Sequence, residues 1–181
     1  MCDSMGFELT TKRIAVIMAV IAVVSVSAAF FYSYEVRYVP TDSMDGDDQP
    51  YDIPTIPQGS AILVSKFHSQ SDVDSLEVGD IILFYNTGNK LDTVHRIIAI
   101  TMDGDHISQV TTHGDNKTPG TNETVNSGDI QGKVVAVSEE LGGVVHFVQN
   151  STLFLVLIVV ILLVMASVVW DMIKIRRSEG Q

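Results

Sequence analysis

The sequence has a single cysteine, Cys2, in 181 residues. No intrachain disulfide can form, and a cysteine-based metal site or thiol nucleophile in the body of the chain is excluded. Basic residues are scarce, with 11 Lys and Arg against 22 Asp and Glu. So acidic a chain argues against nucleic acid or an anionic lipid surface as a partner. The histidines show neither H-x-x-x-H nor H-E-x-x-H spacing, so no resident metal is expected. There is no internal repeat and no low-complexity tract. Charge is absent altogether from two long stretches, Ile14–Tyr32 and Leu153–Trp170.

Those two stretches raise the mean hydropathy to +0.27. Each has about the ~20 residues that carry a helix across a bilayer core. The first exceeds a typical signal-peptide core and runs into Phe30, Phe31, Tyr32 and Tyr34, aromatics suited to an interface, although Ser27-Ala28-Ala29 could serve as a cleavage site. Lys12 and Arg13 precede the first stretch, while Lys174, Arg176 and Arg177 follow the second. By the positive-inside rule both termini are cytoplasmic, and the chain is a multi-pass protein of the cell membrane. The expected organisation is a cytoplasmic N-terminus (1–13), a transmembrane helix (14–34), an extracytoplasmic domain (35–150), a second transmembrane helix (151–170) and a cytoplasmic C-terminus (171–181). Residues 33–150 hold 18 acidic and 6 basic side chains, a net charge of −12.

The external part has the length of one domain and no useful helical periodicity. Strands are expected at Ser60–Ser65, Asp80–Tyr85, Thr93–Ile100, His106–Thr112 and Lys133–Val137, from β-branched and aromatic runs between turn residues. Asp45–Gln58, Gln70–Gly79 and Gly114–Asp129 read as loops or turns, and Gly142-Gly143 as a chain break. The fold class is a mostly β extracytoplasmic domain flanked by two transmembrane helices.

Chemistry concentrates in three places. Thr41-Asp42-Ser43-Met44 follows the first apolar stretch, so Ser43 would stand just above the lipid. Val94-His95-Arg96 offers a base on a strand, and His113-Gly114-Asp115-Asn116 offers a carboxylate. A serine hydroxyl needs a base to take its proton near neutral pH, and the base benefits from a third group that holds its tautomer. Each piece has a plainer reading. Most serines are solvated, a strand histidine is often a satisfied core group, and Gly-Asp-Asn is a common structural turn. Lys66 is an alternative base. Three N-x-[ST] sequons, at Asn116, Asn122 and Asn150, are weak motifs.

Taken together, these stretches resemble signal peptidase I, in the archaeal and endoplasmic-reticulum form with a serine–histidine pair. Thr41-Asp42-Ser43-Met44 resembles the nucleophile box of that family. Val78-Gly79-Asp80-Ile81-Ile82-Leu83-Phe84 resembles its Gly-Asp-Ile-Val-x-Phe strand. Val94-His95-Arg96-Ile97-Ile98 resembles the box in which bacterial relatives carry a lysine base. Thr112-His113-Gly114-Asp115-Asn116 resembles the Gly-Asp-Asn box, and Lys133-Val134-Val135-Ala136 the strand after it. The resemblance covers Pro40 to Gly143. It implies a membrane-bound serine endopeptidase that removes signal peptides from exported preproteins and uses no cofactor. Its partners would be preprotein signal peptides, the lipid bilayer and translocon neighbours.

The resemblance also implies roles. Ser43 is the nucleophile and His95 the general base. Thr41 and the Ser43 backbone N–H serve the oxyanion, and Asp115 orients His95. Three departures stand out. Gly46 replaces a usual proline, the loop 45–58 is long, and the family's second acid is missing, since counting from Gly-Asp-Asn leads to Gly120 and Thr121. Either Asp115 acts alone, or Asp129 supplies the second acid, or the enzyme is weakened; the alternative function, resting on the same gap, is a non-catalytic, substrate-holding scaffold of the same fold. The expectation for the structure is that Asp115 lies nearer to His95 than any other external acid.

Overall fold

The computed structural model describes the backbone of residues 3–150 and of Met165, with side chains from Met18 onward. Two compact units divide the chain, Met1–Gly142 and Gly143–Gln181. The stretch expected to form a second membrane helix, 151–170, lies outside the described residues apart from Met165.

The first unit begins with α1 (Asp3–Ser33), which passes directly into β1 (Tyr34–Tyr38). Among the described residues six more strands follow: β2 (Ala61–Lys66), β3 (Ile81–Asn86), β4 (Leu91–Asp103), β5 (His106–His113), β6 (Glu123–Asn126) and β7 (Ile130–Ser138). A single turn of helix, α2 (Gln70–Val73), precedes β3, and α3 (Glu139–Asn150) follows β7. The strands form one antiparallel sheet in the order β1-β2-β7-β3-β4-β5-β6, with β1 and β6 at its edges. Within the described side chains, no helix is long and apolar enough to cross a membrane. Val23, Val26 and Phe31 of α1 are each about two-thirds exposed (65%, 69% and 64%).

The two-residue period of a strand explains the core. Ile82 and Phe84 of β3 join a cluster with Ile97, Val110 and Val125 on one face. Ile81 and Leu83 join Met44, Ile56, Ile62 and Val134 on the other. The continuous apolar run of β3 is thus a strand buried on both faces. Tyr32, at the end of α1, stacks on the His68 ring at 4.4 Å and 7°, and its carbonyl oxygen lies 3.1 Å from His68 Nε2. This contact ties the helix end to the sheet.

Several expected boundaries change. β1, directly after the helix, was not among the expected strands. The expected loop 114–129 contains β6 and a 3-10 turn (Ser127–Asp129). Gly142-Gly143 does not break the chain, because both glycines lie inside α3. A side chain at Gly142 would collide with the carbonyl of Gly59, so this glycine permits close packing and does not end the helix.

Candidate active site

His95 sits on β4 directly opposite Ile82 of β3, and its ring lies 6.0 Å from that of Phe84. It therefore shares a face with Ile82, Phe84 and Ile97, and is only 1% exposed. Arg96, the next residue, points to the other face by the same alternation.

The Ser43 backbone and the His95 ring both pack against Gly114, which carries no side chain. A Cβ at Gly114 would stand 2.7 Å from the Ser43 carbonyl oxygen and 3.0 Å from His95 Nε2. The Gly-Asp-Asn turn also grips the serine segment directly. The Asn116 N–H donates to the Ser43 carbonyl at 3.0 Å, and the Asn116 side chain donates to the Asp42 carbonyl at 3.1 Å. Ser43 and His95 open into one cavity of about 570 Å³, walled by apolar side chains that include Val39, Met44, Ile62 and Leu83. The Ser43 hydroxyl lies 3.4 Å from that of Thr41. It makes no hydrogen bond to His95, and such bonds are often unformed before substrate binds.

The acid facing His95 is Glu123. Its Oε2 stands 3.3 Å from His95 Nδ1. Neither ring nitrogen has a well-aimed hydrogen-bond partner, so the carboxylate is close to Nδ1 but off the N–H direction. Sheet register explains the placement. Ile97 pairs with Thr112, and Thr112 pairs with Glu123, so all three share the face that carries His95. Glu123 also accepts from Asn86 Nδ2 at 3.1 Å and from Lys117 Nζ at 3.3 Å. Lys117 lines the cavity beside Ser43 and His95. Burial, more than any neighbour, pushes the His95 pKa from 6.5 down to about 4. The Lys117 charge acts in the same direction, Glu123 opposes it, and His113 lowers it further.

Asp115 does not orient His95, contrary to expectation. It lies on the other side of the strand, in a buried pair with Arg96, whose Nη2 is 2.6 Å from Oδ2 and whose Nε is 3.0 Å from Oδ1. A carboxylate held by this fork of donors is committed to it. Arg96 also donates to the carbonyls of Gly79 and Ile53, at 3.0 Å each, and lies over the Tyr51 ring at 5.0 Å. The Arg96–Asp115 pair therefore fastens the long loop 45–58 to the turn that holds Ser43. Gly46, which stands where a proline was expected, belongs to the same junction, since a Cβ there would come 2.5 Å from the Asp115 carbonyl oxygen. Asp129 does not reach His95 either. It lies in the 3-10 turn, 3.3 Å from the Asn126 side-chain nitrogen. Lys66, the alternative base, ends β2 and does not line the cavity.

An apolar groove shared by a serine and a buried neutral histidine, backed by a carboxylate, suits acyl transfer. Residues 11–118 match the family described as signal peptidase, peptidase S26. The chain belongs to this signal peptidase family. The match spans the serine, histidine and Gly-Asp-Asn boxes and stops before Glu123. A search of curated proteins finds no match to the chain. As a family member it is a peptidase with a mostly antiparallel β domain.

Proposed function

We propose that the chain is a membrane-anchored serine endopeptidase that removes signal peptides from exported preproteins, of the archaeal and endoplasmic-reticulum type. The observation that carries this reading is that Ser43 and His95 line one apolar groove while Glu123 stands 3.3 Å behind the imidazole. His95 Nε2 takes the proton of Ser43 Oγ as that oxygen attacks the scissile carbonyl. In this reading the Ser43 N–H and the Thr41 hydroxyl donate to the oxyanion. The imidazolium then returns its proton to the leaving amine, and water repeats the sequence on the acyl-enzyme. Glu123 holds the tautomer that leaves Nε2 free to accept.

The substrate is an extended segment laid along the edge strand β1, whose Arg37 and Tyr38 line the groove. The apolar walls favour small, uncharged side chains. Exposed apolar side chains on α1 support a bilayer around it, and the flanking basic residues support cytoplasmic termini with the catalytic domain outside. The bilayer, preproteins and translocon neighbours are the partners of this reading. The scaffold alternative rested on a missing acid, and Glu123 removes that motive. The test is cleavage of a preprotein by the purified chain in detergent. The Ser43→Ala variant abolishes cleavage under this reading, and a Ser43→Ala protein that still cuts rules it out.

A further inference from the structure

Lys117 has no part in the roles assigned so far, yet it lies in the groove with Ser43 and His95. Its backbone N–H closes the Gly114 turn at 2.9 Å, and its ammonium lies 3.3 Å from Glu123 Oε1. The other Glu123 oxygen receives Asn86 and approaches His95. One carboxylate thus stands between the Lys117 ammonium and a group that becomes a cation only during turnover. Lysine–carboxylate pairs at a surface usually contribute little. This pair differs because its carboxylate is shared with a fully buried imidazole that has no well-aimed partner of its own.

We propose that Lys117 is a positioning residue which, through Glu123, keeps the His95 imidazole in its neutral, proton-accepting form. The proposal rests on the peptidase reading for its consequence in catalysis, but not for its electrostatics. With Lys117 present, the resting group of lysine, glutamate and neutral histidine has no net charge. Without it, a carboxylate beside a buried imidazole carries an uncompensated negative charge. That charge raises the proton affinity of the ring, so the base is lost at a higher pH than in the native chain. Lys117 also restrains the carboxylate on the oxygen away from His95, which leaves Oε2 for Nδ1.

The other groups facing His95 do not replace this function. Among the described residues, β3 offers Phe84 and the uncharged Asn86, β6 offers Glu123, and the serine segment presents Ser43, while His113 pairs with Arg96 on the other face and acts on the ring only as the smallest influence. Arg96, next to it on β4, is committed to Asp115 on the opposite face. The sequence alone marks Lys117 only as the residue after Gly-Asp-Asn, in a turn that reads as solvated.

The test is titration of the His95 ring by NMR in the full chain in detergent micelles, with Ser43→Ala as background and the signal assigned by its loss in His95→Gln. Lys117→Met raises the midpoint by about one to three pH units, the usual reach of a nearby charge. Lys117→Arg leaves it close to its starting value. In the protein with Ser43 intact, the acid limb of kcat/KM on a preprotein moves up by the same amount in Lys117→Met. Where Lys117→Met fails to fold by circular dichroism, Lys117→Gln is read in its place. An unchanged midpoint overturns the proposal, including the case in which activity falls equally at every pH. It is also overturned if Lys117→Met abolishes cleavage while His95→Gln still cleaves, since Lys117 would then itself be the base. If no form of the chain cleaves any preprotein, the peptidase reading fails, and the NMR midpoints still decide the role of Lys117.

Discussion

Glu123 Oε2 lies 3.3 Å from His95 Nδ1, although the two residues sit on strands separated by β5. Two steps of antiparallel register place them on one face, and no local sequence signal does. Arg96 and Asp115 form a comparable pair on the opposite face, at 2.6 Å. Under the proposed function, successive residues of one strand serve different ends, His95 the chemistry and Arg96 the loop that presents the serine.

This division predicts opposite phenotypes for the two acids. Glu123→Gln keeps the fold and lowers kcat by about 10²–10⁴, the range for losing a group that orients a catalytic base. Asp115→Asn leaves Arg96 buried without its charge partner and costs about 3–5 kcal/mol of stability. Urea unfolding followed by circular dichroism, set beside single-turnover cleavage, separates the two. A stable but inactive Asp115→Asn, with Glu123→Gln near normal, would restore Asp115 to the orienting role.

Much of this was legible in the residues. The Ile81–Phe84 run announces a strand because both faces are apolar, and the Ser43 and His95 boxes carry their own chemistry. The rest depended on distant pairing. Glu123-Thr124-Val125-Asn126 is four residues in a Gly, Asn and Thr segment, and it becomes a strand only by pairing with Gln109–Thr112. Counting from Gly-Asp-Asn therefore passed over Glu123. Asp115 looked catalytic because it stands in the Gly-Asp-Asn box, but its partner is Arg96, and adjacent strand residues such as His95 and Arg96 face opposite ways.

Gly114 provides a steric test. A methyl group there meets the Ser43 carbonyl and the His95 ring at 2.7 and 3.0 Å, inside normal contact distance. Neither neighbour can yield without moving a group that the proposed function places at the reaction. Gly114→Ala lowers kcat/KM by at least about 10²-fold, as misplacement by a fraction of an ångström to an ångström does at reacting centres. Thermal unfolding shifts little by comparison. Full activity in Gly114→Ala would show that the serine and histidine are not held together at this turn.

Topology is tested separately from chemistry. Cysteines introduced at Asn89, an exposed turn position, and at Gly180, beyond the last basic cluster, react from opposite sides of the membrane in intact cells. The Cys2→Ser background removes the native thiol. Labelling of both from the same side removes the extracytoplasmic assignment while leaving the fold untouched.

The acidity of His95 is the most direct link from packing to rate. Burial is the main influence that lowers its pKa to about 4, Lys117 assists, and Glu123 works against both without prevailing. A base with so low a pKa is unprotonated across a range in which an exposed imidazole, at 6.5, would already carry charge. The acid limb of kcat/KM for the free enzyme is therefore expected well below 6.5, near 4. Folding responds in the same window. Between about 6.5 and 4 the unfolded chain binds a proton that the folded chain refuses, so stability is complete above 6.5 and declines as pH falls toward 4. Below the folded value this group adds no further loss. His95→Gln removes that component, and its stability falls less steeply than that of the native chain over the same interval. An acid limb at or above 6.5 would mean that attraction to Glu123 outweighs burial, and that the imidazole rests charged beside the serine.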